Sequence, residues 1–270
     1  MMTTDEHAIG SISIKIITLF IITVFCIGII TGCSSDEQEE EVTITLAAAA
    51  SLKNAFDNEL IPAFTAKYPN IKVEATYDSS GKLQTQIEQG LAADIFFSAA
   101  MKQMNNLDGA GLIDSASINK LLENKIVLIT GVNNDTGMKD FKDILNAETI
   151  AVGDPESVPA GSYAKEAYTT LGMWDDIASR ASFGTNVTEV LSWVAAGSAE
   201  AGVVYATDAA SEPQVKVIAE APEGALASPV IYPVAMLANS THKDAAGKFL
   251  EFLAGSDAKA IFEKYGFTVK

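Results

Sequence analysis

From Val42 onward, short β-branched or apolar runs alternate with stretches in which apolar residues recur every three or four positions. That alternation confines the chain to the α/β class. Residues 42–46 read as a strand, and Ser51 sits where a helix N-cap belongs, ahead of Leu52, Phe56 and Leu60 at helical spacing. Pro62 is expected to end that helix or to begin a new turn after it. A second strand covers 71–77. After Asp78-Ser79-Ser80-Gly81, the residues Leu83, Ile87 and Leu91 mark the buried face of the next helix. Residues 94–97 are short and apolar, as a central parallel strand is.

The order of elements then predicts two lobes. Residues 125–129 read as a strand leaving the first unit, and 150–152 as a strand of a second, closed by Gly153-Asp154-Pro155. Ser157 to Gly161 opens a helix carrying Tyr163, Ala167 and Leu171, and Asn186 precedes another with Val190, Leu191 and Val194 inward. A strand over 201–204 ends at Tyr205, residues 215–218 and 230–237 return the chain, and two C-terminal helices close it. The expected lobes are 42–124 with 231–270, and 125–230, with a cleft between them. Each is expected to hold a mixed, mostly parallel sheet flanked by helices.

The N-terminus points outside the cytoplasm. Lys15 precedes an apolar run over 16–30 that ends in Ile30-Thr31-Gly32-Cys33, so 1–32 read as an export signal. That ending looks like a lipobox, in which Cys33 is acylated and becomes the new N-terminus; an uncleaved membrane anchor is the alternative, though the run is short for a span. Residues 33–41, polar and strongly acidic, form a solvated tether. Cys26 leaves with the signal, so no disulfide is expected within the fold. His242 is then the one remaining histidine, read as a surface residue without the partners that a metal site or a catalytic base needs.

Charge narrows the partners. A formal net charge of −17 argues against nucleic acid and against docking on anionic lipid through basic patches. With Arg180 the sole arginine, no arginine cluster can grip an anion. An enzyme is not expected: no serine has a histidine partner, and there is no metal-ligand cluster, G-x-S-x-G elbow or phosphate loop. Asp154 and Glu156 are better explained as a tight turn before a helix.

Small or hydroxyl residues stand at strand ends or helix starts at Ser51, Ser79-Ser80, Pro159-Ala160-Gly161, Asn186-Val187 and Tyr205. Free N–H groups and the positive dipole end of a helix bind anions without a formal charge, and ligands of open α/β sheets collect at the carboxyl ends of strands. Each residue alone is more simply a cap; their joint placement is the signal.

From Val42 to Lys270 the chain resembles the periplasmic molybdate-binding protein family, the substrate-binding component of molybdate ABC importers. The pieces that carry the resemblance are Ala48-Ala49-Ala50-Ser51-Leu52, Ser79-Ser80-Gly81-Lys82-Leu83, Ala92-Ala93-Asp94-Ile95-Phe96, Val152-Gly153-Asp154-Pro155-Glu156, Val158-Pro159-Ala160-Gly161 with Tyr163-Ala164-Lys165-Glu166-Ala167, Gly202-Val203-Val204-Tyr205 and Tyr265-Gly266-Phe267-Thr268. The resemblance implies a two-lobed periplasmic-binding-protein fold of type II, a monomer without cofactor, and a permease as partner. Its ligand would be a tetrahedral oxyanion, molybdate or tungstate, whose metal no protein side chain coordinates. Ser51 and Ser80 would give hydroxyl and backbone hydrogens, Ala160 and Val187 backbone N–H, and Tyr205 its phenol. Asp78 and Glu189 place carboxylates beside the motifs. Phosphate or sulfate is the alternative ligand.

Overall fold

The computed structural model describes residues 40–270. The export segment, Cys33 and nearly all of the acidic tether lie outside the described residues. Among the described residues no helix is long and apolar enough to cross a membrane.

Two sheets carry the fold. The first is built from β1 (Val42–Ala49), β2 (Ile71–Asp78), β3 (Ile95–Phe97) and β4 (Asn119–Asn124). The second takes β5 (Ile126–Gly131), β6 (Ile150–Gly153), β7 (Ala181–Gly184), β8 (Ala201–Tyr205) and β9 (Val215–Glu220). The chain then returns to the first sheet with β10 (Val230–Met236) and β11 (Thr268–Val269). Strand order is β11-β4-β10-β3-β1-β2 in one sheet and β7-β6-β8-β5-β9 in the other. Helices flank both, giving the two-lobed α/β fold.

The sheets are mixed, but they are not mostly parallel as expected. β1 pairs parallel with β2 and β3, and β6 with β7 and β8. Every pair that involves β4, β5 or β10 is antiparallel. The reason lies in the crossing between lobes. β4 and β5 carry the chain across as consecutive strands and β10 brings it back, so no crossover helix turns these strands parallel to their neighbours.

Pro62 does not end its helix. Residues 50–67 form one helical run, with a wide turn at Phe56–Leu60 where the N–H of Ile61 reaches the carbonyl of Phe56. Pro62 has no N–H to give, and the change of register at the wide turn takes it in without a break. The run buries Phe56, Leu60 and Phe64. Phe56 stands edge-on to Phe97 at 5.9 Å and to Phe262 at 6.1 Å, and Phe64 meets Phe249 at 4.7 Å. The C-terminal helices Lys243–Ala254 and Ser256–Lys264 are thereby locked onto the first sheet. Each ring buried in this way contributes about 1.5–3 kcal/mol.

His242 lies at the surface, as the sequence suggested, but it has a partner. Its Nδ1 lies 3.2 Å from Oδ1 of the buried Asp94, which also accepts from Ser240 Oγ at 2.6 Å, while Asp94 Oδ2 accepts from Thr45 N at 2.8 Å. The group ties β1 to the segment before the C-terminal helices, so its role is structural.

Candidate functional site

The first lobe brings two serines to the carboxyl ends of its strands. β1 runs on through Ala49, and a tight turn over Ala50–Leu52 follows at once. Ser51 is therefore not an N-cap: Ala49 holds that place and no side chain caps the turn. The hydroxyl of Ser51 instead meets Tyr232 Oη at 3.0 Å. Ser80 is the first residue of the helix Ser80–Glu88 and is fully buried. Ser79 is the N-cap, its Oγ accepting from Lys82 N at 3.4 Å. Ser80 Oγ accepts from Ala99 N at 2.9 Å, just beyond the end of β3.

The second lobe offers main chain. Ala160, fully buried, is the second residue of the helix Pro159–Thr170. Gly161 seats that helix against the end of β6 so closely that a Cβ there would stand 1.9 Å from the carbonyl oxygen of Gly153. Val187 opens the helix Val187–Ala195, capped by Asn186 Oδ1, which accepts from Glu189 N at 2.9 Å. The first-turn N–H groups at Ser80, Ala160 and Val187 have no carbonyl one turn back to receive them. Tyr205 ends β8 and is buried; burial pushes its phenol well above its ordinary value, so it stays protonated. Its Oη points to the carbonyl of Ala99 at 3.4 Å, a long and weak bond.

The lobes meet here. Gly81 N donates to Ser157 O at 3.0 Å, which joins the helix start of Ser80 to the loop before Ala160. Ala99 receives Tyr205 through its carbonyl and serves Ser80 through its amide. The turn carrying Ser51 packs on the helix that begins at Val187. All five residues thus border one closed seam, with neutral hydrogen-bond donors on both sides.

The carboxylates flagged beside the motifs are occupied. Asp78 Oδ1 accepts from Ser79 N at 2.7 Å and pairs with Lys82 at 3.4 Å; Glu189 Oε2 accepts from Thr185 N at 2.6 Å. Arg180 is spent on the carbonyl of Leu145. Asp154 holds Ser157 Oγ at 2.8 Å, as a turn before a helix does. Among the described residues no group of His, Cys, Asp and Glu is arranged to hold a metal ion.

Sequence reasoning missed the support behind the seam. Tyr232, on the returning strand β10, touches Ser51 and stacks edge-on to Tyr205 at 5.3 Å. Asn124, at the end of β4, donates through Nδ2 to Tyr232 Oη at 3.3 Å and to Thr207 Oγ1 at 2.9 Å. Asp208 is buried, accepts from Tyr205 N at 3.2 Å, and is pushed up to about 7 by burial, with that N–H pulling the other way. A tyrosine on a strand and an asparagine at a strand end carry no local signal. Beside the seam, a cleft of about 460 Å³ is lined by Lys102, Gln103 and Lys120 on one side and by Ser162 and Tyr163 on the other.

Two sheeted lobes with donors converging on their seam define a binding protein for a small solute. Comparison with known proteins agrees: residues 44–268 match the family model for bacterial extracellular solute-binding protein. The chain is 38% identical over 257 residues to the putative ABC transporter substrate-binding lipoprotein YvgL of Bacillus subtilis, covering 94% of this chain and 98% of that one. It is 38% identical over 238 residues to the molybdate-binding protein ModA of Escherichia coli, covering 86% and 91%. The solved substrate-binding domain of a putative molybdenum ABC transporter from Clostridium difficile is 39% identical, with a TM-score of 0.65, covering 84% of this chain and 98% of that one. The chain belongs to the bacterial extracellular solute-binding protein family, and its resemblance to the periplasmic molybdate-binding proteins holds across the folded part.

Proposed function

We propose that this protein captures molybdate or tungstate outside the cytoplasm and delivers it to the permease of an ABC importer, working as a monomer held to the membrane by a lipid on Cys33. Binding of an oxyanion, not catalysis, is what the seam supports. The observation that carries the reading is the donor set: the hydroxyls of Ser51 and Ser80, their backbone amides, the amides of Ala160 and Val187, and the phenol of Tyr205, gathered from both lobes without a single cation. Burying a dianion strips hydration worth tens of kcal/mol. Hydrogen bonds to a charged group return about 1.5–3 kcal/mol each, so neutral donors suffice when many converge and none is misdirected. The relatives named for molybdate support the choice of ligand, and a relative named as a lipoprotein supports the anchor. Sulfate has the same charge and shape, so the size of the cavity would select the larger ion.

Isothermal titration of the full chain in detergent with molybdate, tungstate, sulfate and phosphate tests this. Tight binding of the first two with sulfate at least ~100-fold weaker, about 2.7 kcal/mol, is expected. No heat with molybdate or tungstate, or equal affinity for sulfate, would overturn it.

A further inference from the structure

The cleft beside the seam holds a polar group that the fold leaves unserved. Gln103 borders this cleft and is only 3% exposed, yet its Oε1 makes no hydrogen bond among the described residues. Native proteins keep few such atoms, because a buried acceptor without a donor is costly. The terminal torsion of a glutamine is soft, so the amide can turn its oxygen to the cleft. Around it the walls differ in charge. On the first lobe the cleft is bordered by Ala100 to Gln103, the start of the helix Met101–Gly109, which no side chain caps. Its first-turn amides therefore lack intrahelical acceptors and favour an anion. Lys102 and Lys120 border the same wall, and neither is paired with a carboxylate among the described residues. On the second lobe stands Glu166, whose Oε1 accepts from Ala227 N at 2.6 Å and whose Oε2 is left over.

We propose that this cleft is a second binding site, separate from the seam, for a free α-amino acid held as its zwitterion. The carboxylate answers the helix start with Lys102 and Lys120, and the ammonium supplies the hydrogen that Gln103 Oε1 lacks, with Glu166 as its counter-charge. Met101, Pro159 and Ile231 give the amino-acid side chain an apolar wall. At about 460 Å³ the space suits a small organic molecule with a few polar anchors. Simpler ligands serve only half of it. An inorganic oxyanion or a plain carboxylate meets the lysines but brings no hydrogen for Gln103 and faces Glu166. A plain amine leaves both lysines and the helix start unanswered. The ion held in the seam therefore has no second seat here.

Titration of the full chain with L-serine, L-methionine and L-leucine tests this, beside 4-methylpentanoate and 3-methylbutylamine, which each keep one of leucine's two charged groups. At least one amino acid is expected to bind, and the leucine fragments at least ~10-fold more weakly than leucine itself. Gln103→Met keeps the bulk of the side chain and removes the unpaired oxygen. It should weaken the amino acid at least ~10-fold while the unliganded melting temperature holds or rises. Lys102→Gln combined with Lys120→Gln should weaken it as much, with melting unchanged, and decides the matter if Gln103→Met fails to fold. Molybdate affinity should be the same in all three proteins. No binding of any of the three amino acids at ~10 mM overturns the inference. So does 4-methylpentanoate binding as well as leucine, or unaltered amino-acid affinity in the variants. A protein that ignores molybdate but binds the amino acid would sink the oxyanion reading and leave this one standing.

Discussion

The two lobes contribute to the proposed cage in different currencies of structure. The second lobe offers mainly backbone hydrogens at Ala160 and Val187, aimed by the starts of two helices. The first offers the hydroxyls of Ser51 and Ser80, which can turn and are held by Tyr232 and Ala99. Main-chain donors depend on how closely a helix approaches its strand, hydroxyl donors on who occupies their lone pairs. The two halves therefore fail in different ways when altered.

The largest effect is expected in the second lobe at Gly161. Gly161→Ala drives a Cβ into the Gly153 carbonyl, backbone against backbone, and should destabilise the fold by about 3 kcal/mol or more; urea unfolding of the full chain checks this. Gly81→Ala comes next and separates folding from closure. Its Cβ would stand 2.4 Å from Ser157 O across the seam, so the lobes cannot meet fully. Calorimetry should show anion affinity down about 100-fold, while the unliganded melting temperature moves little. Ser80→Ala should cost roughly 10–100-fold in affinity, whereas Val187→Ala, which leaves the amide in place, should change it by less than about threefold. If Val187→Ala proved as costly as Ser80→Ala, the contrast between the halves would be wrong.

The effect at Asp208 depends on pH. Its carboxyl is raised from an ordinary value of 3.8 to about 7. Well below the ordinary value the acid is protonated whether folded or not, and no stability is lost. Between the two values the unfolded chain releases a proton that the folded one retains, so stability falls as pH rises through this window and the loss is complete above about 7. The full penalty is on the order of 4 kcal/mol. Asp208→Asn keeps an acceptor for Tyr205 N and should stabilise the protein more at pH 8 than at pH 5, as urea midpoints would show.

Much of this was legible in the sequence because it is local. Helical spacing exposed the inward faces of 80–88 and 187–195, and a helix start at Pro159 or Val187 announces free amides whatever side chain follows. What was hidden depends on pairing across long stretches of chain. Asn124 and Tyr232 are separated by 108 residues, and only the register of β10 on β4 brings them together. β4 itself, with Asn119, Lys120, Glu123 and Asn124 around two leucines, shows no strand pattern until β10 and β11 flank it. Pro62 misled because the rule against proline in helices assumes an unbroken ladder, and the wide turn at Phe56–Leu60 supplies the exception.

The most direct test of the cage is crystallographic. Crystals of the protein grown with tungstate, with diffraction recorded at the tungsten edge, locate the metal by its anomalous signal. The account predicts a single strong peak in the seam, its oxygens within hydrogen-bond reach of Ser51, Ser80, Ala160 N, Val187 N and Tyr205 Oη. A peak in the cleft beside Lys102 and Lys120, or none in the seam, would contradict it.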